Sequence, residues 1–94
     1  MPVHWSEDAL ADLEALRAYI ARHSERGAGR VVLTILAHIA QLKTQPHIGR
    51  PGRVTGTREL LARPAPCIVP YRVRGEAIEV LRVLHTAQAW PGAF

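Results

Sequence analysis

Four residues in the second half of the chain could together act on a phosphate group. His85 stands where a strongly strand-forming run ends, and three arginines lie in neighbouring strand-like segments: Arg58, Arg72 and Arg82. Cleavage of a phosphodiester requires a general acid or base and a cation that stabilises the charge of the transition state. A histidine can fill the first role and arginines the second. The sequence therefore offers His85 with these three arginines as a candidate catalytic set.

The strand that carries His85 could hold it for chemistry or for structure. Residues 78–85 place apolar side chains on both faces, so this strand is expected inside a sheet rather than at its edge. A rigid strand that ends in polar groups is a good support for a site. In the structural interpretation, His85 instead caps the strand and hydrogen-bonds the tail, while Arg82 pairs with Glu79 or Glu59. Both interpretations remain open at the level of sequence.

The first half of the chain has the pattern of two helices. Val3–Trp5 is a short strand candidate, and Ser6 can cap a helix over residues 7–23. Apolar residues at spacings of three and four then continue through residues 30–43, which is the strongest helical pattern in the chain. Residues 24–29 contain two glycines and are predicted to connect the helices as an antiparallel hairpin.

The second half predicts a loop followed by strands. Residues 45–57 are rich in proline and glycine and form the loop. Pro70 cannot donate to a ladder, so a bulge or an unpaired position is expected there. Gly75 supplies the turn before the last strand. The predicted strands are Arg58–Leu61, residues 67–73 and residues 77–85.

These elements predict an α+β fold in a single domain over residues 1–94. An N-terminal strand precedes the helical hairpin, and a three-strand antiparallel meander packs under the helices. The start of the chain lacks the pattern of a secretory leader, and the longest apolar segment, residues 31–42, is too short to cross a bilayer. We therefore expect a cytoplasmic protein without a membrane partner.

The positive charge is concentrated in the second half of the chain. Residues 1–49 are neutral overall, so residues 50–94 carry the whole net charge of +4. Nearly all of the cations are arginines, which suit bidentate contact with carboxylates or phosphates. An acidic or phosphate-bearing partner is implied, although a solvated basic face that aids solubility explains the charge equally well.

Neither a cofactor nor a metal is expected. The histidines outside the candidate set are scattered and have no metal-ligand spacing: His4, His23, His38 and His47. Cys67 is the single cysteine, which excludes an internal disulfide, and it is interpreted as a packed small residue.

The order of short motifs along the chain resembles the RelE/ParE superfamily of type II toxin–antitoxin toxins over about residues 3 to 91. The motifs that carry the resemblance are Trp5-Ser6 before Ala9-Leu10-x-Asp12-Leu13, then Gly49-Arg50-Pro51-Gly52, Gly56-Thr57-Arg58-Glu59-Leu60, Ile68-Val69-Pro70-Tyr71-Arg72-Val73 and Val80-Leu81-Arg82-Val83-Leu84-His85. The resemblance implies a RelE/ParE-like fold and a toxin neutralised by an antitoxin encoded beside it. Such pairs bind their own operator DNA through the antitoxin.

The two branches of the superfamily differ in activity, and the chain looks more like the ParE branch. RelE-like toxins cut mRNA in the ribosome and generally place lysines on the strand equivalent to Arg58–Leu61 and an arginine near position 68. The lysines are absent here, and residue 68 is isoleucine. The resemblance thus implies a ParE-like inhibitor of DNA gyrase without catalysis of its own, with a RelE-like endoribonuclease acting through His85 as the alternative. A toxin that has kept only antitoxin binding is the third possibility.

The basic half of the chain is where an antitoxin or a target is expected to bind. Apolar anchors of a ParD-like antitoxin would give affinity, and its acidic groups would meet the arginines. Trp90, followed by a proline, could also fold the tail back over the sheet. The candidate antitoxin- or target-binding residues are Arg50, Arg53, Arg58, Arg72, Arg82 and Trp90.

Overall fold

The computed structural model describes residues 1–94. Its elements follow the predicted order, with two additional short strands. In chain order they are β1 (Val3–Trp5), α1 (Glu7–Ala21), α2 (Glu25–Gln41), β2 (Arg50–Pro51), β3 (Arg58–Leu61), β4 (Cys67–Arg74), β5 (Ala77–Val80) and β6 (Leu84–His85). None of the helices has the length and apolar character needed to cross a membrane.

Each helix begins at a serine cap. The Ser6 hydroxyl accepts a hydrogen bond from the Ala9 backbone N–H at 3.0 Å, as predicted for α1. Ser24 does the same for the Gly27 N–H at 2.9 Å, so α2 begins at Glu25. The prediction of a loop over residues 24–29 was therefore wrong, because the two glycines lie inside a helix that the serine cap starts.

The sheet has the strand order β1-β5-β4-β3-β2. Strands β3, β4 and β5 form the predicted antiparallel meander. β1 runs parallel to β5, with Val3 opposite Ile78, so β5 has a neighbour on each side. The expectation that this strand lies inside the sheet is confirmed. Gly75, with a φ of 60°, supplies the turn between β4 and β5.

The predicted continuous strand over residues 77–85 is broken into β5 and β6. Tyr71 pairs with Val80, but Ile68 pairs with Leu84, so three residues on one strand face two on the other. The Pro70 carbonyl accepts hydrogen bonds from both Leu81 N and Arg82 N, at 2.9 and 3.4 Å. This is a β-bulge opposite the proline, which confirms the bulge expected at Pro70 and corrects the continuous strand.

The two faces of the sheet have different roles because side chains alternate along each strand. The inner face packs against α2 and forms one core with it: Ile35, Ile39, Leu42, Leu60, Val69, Tyr71, Ile78 and Val80. The outer face carries the residues between these, which are polar toward the β4–β5 turn and apolar toward β6: His4, Glu59, Leu61, Ile68, Pro70, Arg72, Arg74 and Glu79. The helices therefore pack only on the inner face, although Glu59, Ile68 and Pro70 of the outer face are also buried.

Tyr71 joins the core to the long loop. Its ring is fully buried, its hydroxyl donates to the Pro46 carbonyl at 2.8 Å, and it accepts from the Gly49 N–H at 2.9 Å. Burial raises the pKa of the phenol, so it stays neutral. A Cβ on Gly49 would lie 2.6 Å from a ring carbon of Tyr71, and this explains why a glycine is needed at that position.

Replacing Tyr71 with phenylalanine is expected to destabilise the fold by about 1–3 kcal/mol, because two backbone groups of the loop lose their partner while the ring stays. Urea unfolding followed by circular dichroism measures the change. Tyr19→Phe is the matched control, since Tyr19 is 59% exposed and should leave stability unchanged. Equal stability of Tyr71→Phe and the wild type would contradict this role of the hydroxyl.

Candidate functional site

Arg82 is bound by a carboxylate from the first helix. Its Nε and Nη2 donate to the two oxygens of Asp12 at 2.7 and 2.9 Å, and the Val83 N–H donates to the same carboxylate at 2.9 Å. The hydrogen bond with Asp12 raises the pKa of Arg82 above its ordinary value. The structural interpretation paired Arg82 with Glu79 or Glu59, and both partners were wrong. Asp12, its partner in the structure, connects α1 to the bulge.

Arg72 lies on the outer face and shares a carboxylate with a second arginine. Glu79 accepts from Arg72 Nε at 3.2 Å and lies 3.0 Å from Arg74 Nε. The hydrogen bond from Arg72, with the charges of both arginines and of His4, holds the pKa of Glu79 below its ordinary value. We call Arg72, Glu79 and Arg74 the Glu79 cluster.

A second cluster of the same kind lies at the other edge of the outer face. Glu59 is only 3% exposed and accepts from Arg50 Nη2 at 3.0 Å, from Arg53 Nε at 3.2 Å and from the Arg53 backbone N–H at 2.8 Å. Burial alone would raise the pKa of Glu59, but the hydrogen bonds from Arg53 and Arg50 outweigh it and lower the pKa. We call Arg50, Glu59 and Arg53 the Glu59 cluster.

The C-terminal tail rests on the Glu59 cluster. The Arg53 guanidinium lies 3.6 Å from the centre of the Trp90 ring, within the range of a cation–π contact. Because Arg53 is held by Glu59 on the outer face, this contact brings the tail back to that face. The expectation that the tail folds over the sheet is confirmed.

Arg58 points to the inner side of the sheet, away from both clusters. Its Nη1 donates to the backbone carbonyls of His47 and Gly49 at 3.2 and 2.8 Å, and no carboxylate pairs with it. This guanidinium supports the long loop and lines a small polar hollow beside Thr57.

His85 is exposed at the end of β6 and is held by the tail. Its ring Nδ1 accepts a hydrogen bond from the Ala87 backbone N–H at 3.1 Å, and the backbone N–H of His85 donates to Gln88 Oε1 at 3.2 Å. This matches the structural interpretation of a histidine that caps the strand end. The ring also borders a groove of about 410 Å³ between α1 and the tail, lined by Asp12, Ala15, Leu16, Tyr19, Val83, His85 and Gln88.

The structure does not bring the four candidate catalytic residues together. Arg58 is opposite Tyr71 and His85 is opposite Cys67, on the two sides of β4. The Cα atoms of Arg58 and His85 are therefore about 16 Å apart, because the two residues are offset by four residues along the strand and by two strand spacings across the sheet. Arg72 lies on the outer face of the sheet, and the guanidinium of Arg82 is paired with Asp12. The four residues therefore do not form one convergent set in this structure.

Cys67 is buried and packed, and burial raises the pKa of its thiol, as expected of a core residue. No group of three or more histidine, cysteine or acidic residues is arranged to hold a metal ion. The sequence did not predict the ion pairs of Asp12 with Arg82 and of Arg74 with Glu79, because strand register and helix packing decide which carboxylate an arginine meets.

Comparison with known proteins gives the family. The family model described as the ParE toxin of the type II toxin–antitoxin system parDE matches residues 3–90. The chain belongs to the ParE toxin family. The resemblance drawn from its motifs is confirmed, and so is the α+β, RelE/ParE-like fold.

Individual relatives of this ParE-family toxin cover nearly its full length. A candidate toxin of Sinorhizobium fredii, Y4kP, is 39% identical over 95% of this chain and 92% of its own. Toxin RelE2 of Caulobacter vibrioides is 35% identical over 92% of this chain and 96% of its own. The solved structure of a chromosomal ParDE toxin–antitoxin system from P. aeruginosa superposes with a TM-score of 0.81 at 31% identity, covering 90% of this chain and 95% of that one.

Proposed function

We propose that the toxin inhibits DNA gyrase in the cytoplasm and that a ParD-like antitoxin, encoded beside it, neutralises it. The observation that carries the proposal is the separation of the four groups that a nuclease would use. This separation supports a toxin that acts by binding, and gyrase is the target that resemblance to the ParE branch implies. The relation to a ParDE system supports the antitoxin, which would also be the component that binds operator DNA.

Gyrase inhibition is tested with purified components. Toxin added to gyrase, ATP and relaxed plasmid is expected to block supercoiling and to accumulate cleaved DNA. Addition of the antitoxin before the toxin is expected to abolish both effects. A reaction that proceeds at the uninhibited rate with a tenfold excess of toxin would exclude this mechanism.

The second candidate is a RelE-like, ribosome-dependent endoribonuclease. Two observations favour it: one relative carries the name RelE2, and His85 is exposed beside a groove. Within this alternative, His85 would transfer the proton of the attacking or leaving oxygen and the arginines would stabilise the phosphate charge. Mapping mRNA ends in cells that express the toxin separates the two candidates.

Replacing His85 with alanine is expected to leave growth arrest within about twofold of the wild type, because the histidine makes only local contacts with the tail. A general acid or base contributes roughly 10²–10⁴-fold to a rate, so a nuclease would lose its toxicity. Plating after tightly controlled induction measures the effect. The control is His23→Ala, which replaces an exposed histidine just after the end of α1. If only His85→Ala loses both toxicity and mRNA cleavage, the nuclease is the correct function.

Growth arrest also tests whether toxicity has been retained. We expect arrest when the toxin is expressed without the antitoxin. Normal growth at high expression, together with intact antitoxin binding, would identify a toxin that has kept only its binding function.

A further inference from the structure

A second group of buried apolar side chains lies on the outer face of the sheet, apart from the main core. Ile68 is 6% exposed, and Pro70 and Leu84 are fully buried. Strand register places all three on the face opposite the helices, and neither Ile68 nor Leu84 belongs to the core formed with α2. We call these three residues the outer apolar patch. A segment other than the helices must cover it.

The C-terminal tail, residues 86–94, is the segment that crosses this patch. It leaves β6 at His85, on one side of β4, and at Trp90 it meets Arg53, which is bound to Glu59 on the other side of β4. Two strand spacings across the sheet and three residues along it separate these points by about 14 Å. Five residues can span at most about 17 Å, so the tail has to take a nearly direct path over β4. That path covers the outer apolar patch.

Few interactions hold the end of the tail in place. The backbone N–H of Gln88 donates to the His85 carbonyl at 2.9 Å, but residues 89–94 form no strand and make no hydrogen bonds. Their contact with the sheet is the ring of Trp90, whose centre lies 3.6 Å from the guanidinium of Arg53. A segment without backbone hydrogen bonds can open locally while the rest of the fold stays intact.

Opening of the tail would uncover a surface with the composition of a protein interface. The outer apolar patch would form its centre. The Glu59 cluster lies beside the patch on β3, because Glu59 is opposite Pro70, and the Glu79 cluster lies two residues further along β4, because Glu79 is opposite Arg72. A desolvated apolar centre with arginines around it is typical of protein interfaces. In the closed form, a segment of the same chain occupies that centre.

We propose that residues 86–94 are an autoinhibitory strap, which covers the outer apolar patch when it is closed and lets the toxin bind its target through the patch when it opens. The inference rests on the proposed function, since it concerns a toxin that inhibits gyrase by binding. The affinity for a target that binds only the open form is reduced in proportion to the fraction of open molecules. The contact of Trp90 with Arg53 limits that fraction, so its loss strengthens inhibition.

The test weakens the strap at the side chain that anchors it. Trp90→Ala removes the ring, whereas Trp90→Phe keeps an aromatic face for Arg53. A chain that ends at Gln88 is a second open variant, and Leu33→Ala is the matched control, because it removes an apolar side chain that is 69% exposed on α2. Circular dichroism checks each fold, and binding of the dye anilinonaphthalene sulfonate measures exposed apolar surface. Supercoiling assays with purified gyrase give the toxin concentration for half inhibition.

We expect both open variants to bind more dye than the wild type and to reach half inhibition at a concentration roughly three- to tenfold lower. Trp90→Phe and Leu33→Ala should stay within about twofold of the wild type. Unchanged inhibition by the open variants would overturn the strap, and weaker inhibition would overturn it by making the tail a contact with the target.

The two readouts separate the strap from the proposed function. If the wild type and the open variants all fail to inhibit gyrase, the proposed function is wrong, and dye binding alone then decides whether the tail covers the outer apolar patch. Equal dye binding by the wild type and the open variants would overturn the strap in either case.

Discussion

Replacing Asp12 with alanine is expected to lower the free energy of unfolding by about 3 kcal/mol, because a paired, largely buried arginine loses its counter-ion. The side chains of Asp12 and Arg82 are only 16% and 22% exposed. Alanine would leave Arg82 uncompensated and would also deprive the Val83 N–H of its acceptor. Urea unfolding at pH 7 measures the loss.

Two comparison variants isolate the cause. Glu14→Ala breaks an ion pair with Arg17 on the same helix, but that pair is exposed, so stability should hardly change. Combining Asp12→Ala with Arg82→Leu removes the buried charge together with its partner, and we expect much of the stability to return. If Asp12→Ala is as stable as Glu14→Ala, the link between α1 and the bulge contributes nothing.

Replacing Glu59 with glutamine is expected to cost about 3 kcal/mol at pH 7, because the buried carboxylate that neutralises two arginines loses its charge. The amide can still accept hydrogen bonds through its oxygen. Its NH₂ group, however, would face the donors of Arg50 or Arg53. Thermal unfolding of the two proteins measures the difference.

The same pair of proteins should respond differently to acid. The pKa of Glu59 is lowered in the folded state from its ordinary value of 4.5, so the unfolded state takes up the proton first. The stabilisation is therefore complete above about pH 4.5 and is lost as the pH falls through the folded-state pKa. The gap between wild type and Glu59→Gln should close as the pH falls below that value.

Glu76→Gln is the control for this experiment. Glu76 is exposed in the turn after β4 and makes no ion pair, so its stability should follow the wild type at every pH. A gap between wild type and Glu59→Gln that stays constant from pH 7 to pH 3 would show that the charge of Glu59 does not contribute.

The sequence by itself determined the features that arise within a few residues. The cap at Ser6, the glycine turn at Gly75 and the bulge at Pro70 each follow from the local chemistry of a single residue. Helix α2, which Ser24 caps, shows the limit of such signals. Its apolar stripe predicts a helix, but two glycines in the first turns suggested a loop.

Only the tertiary structure decided which charges meet. Asp12 and Arg82 are 70 residues apart in the chain, and Glu59 and Glu79 gain their arginines from strand register and the long loop. Any of several carboxylates could have served each arginine, because ion pairing has little dependence on sequence separation. Packing of α1 against the bulge and the alternation of side chains across the sheet selected the partners. That selection separated the candidate catalytic set and produced the paired arginine clusters of the outer face.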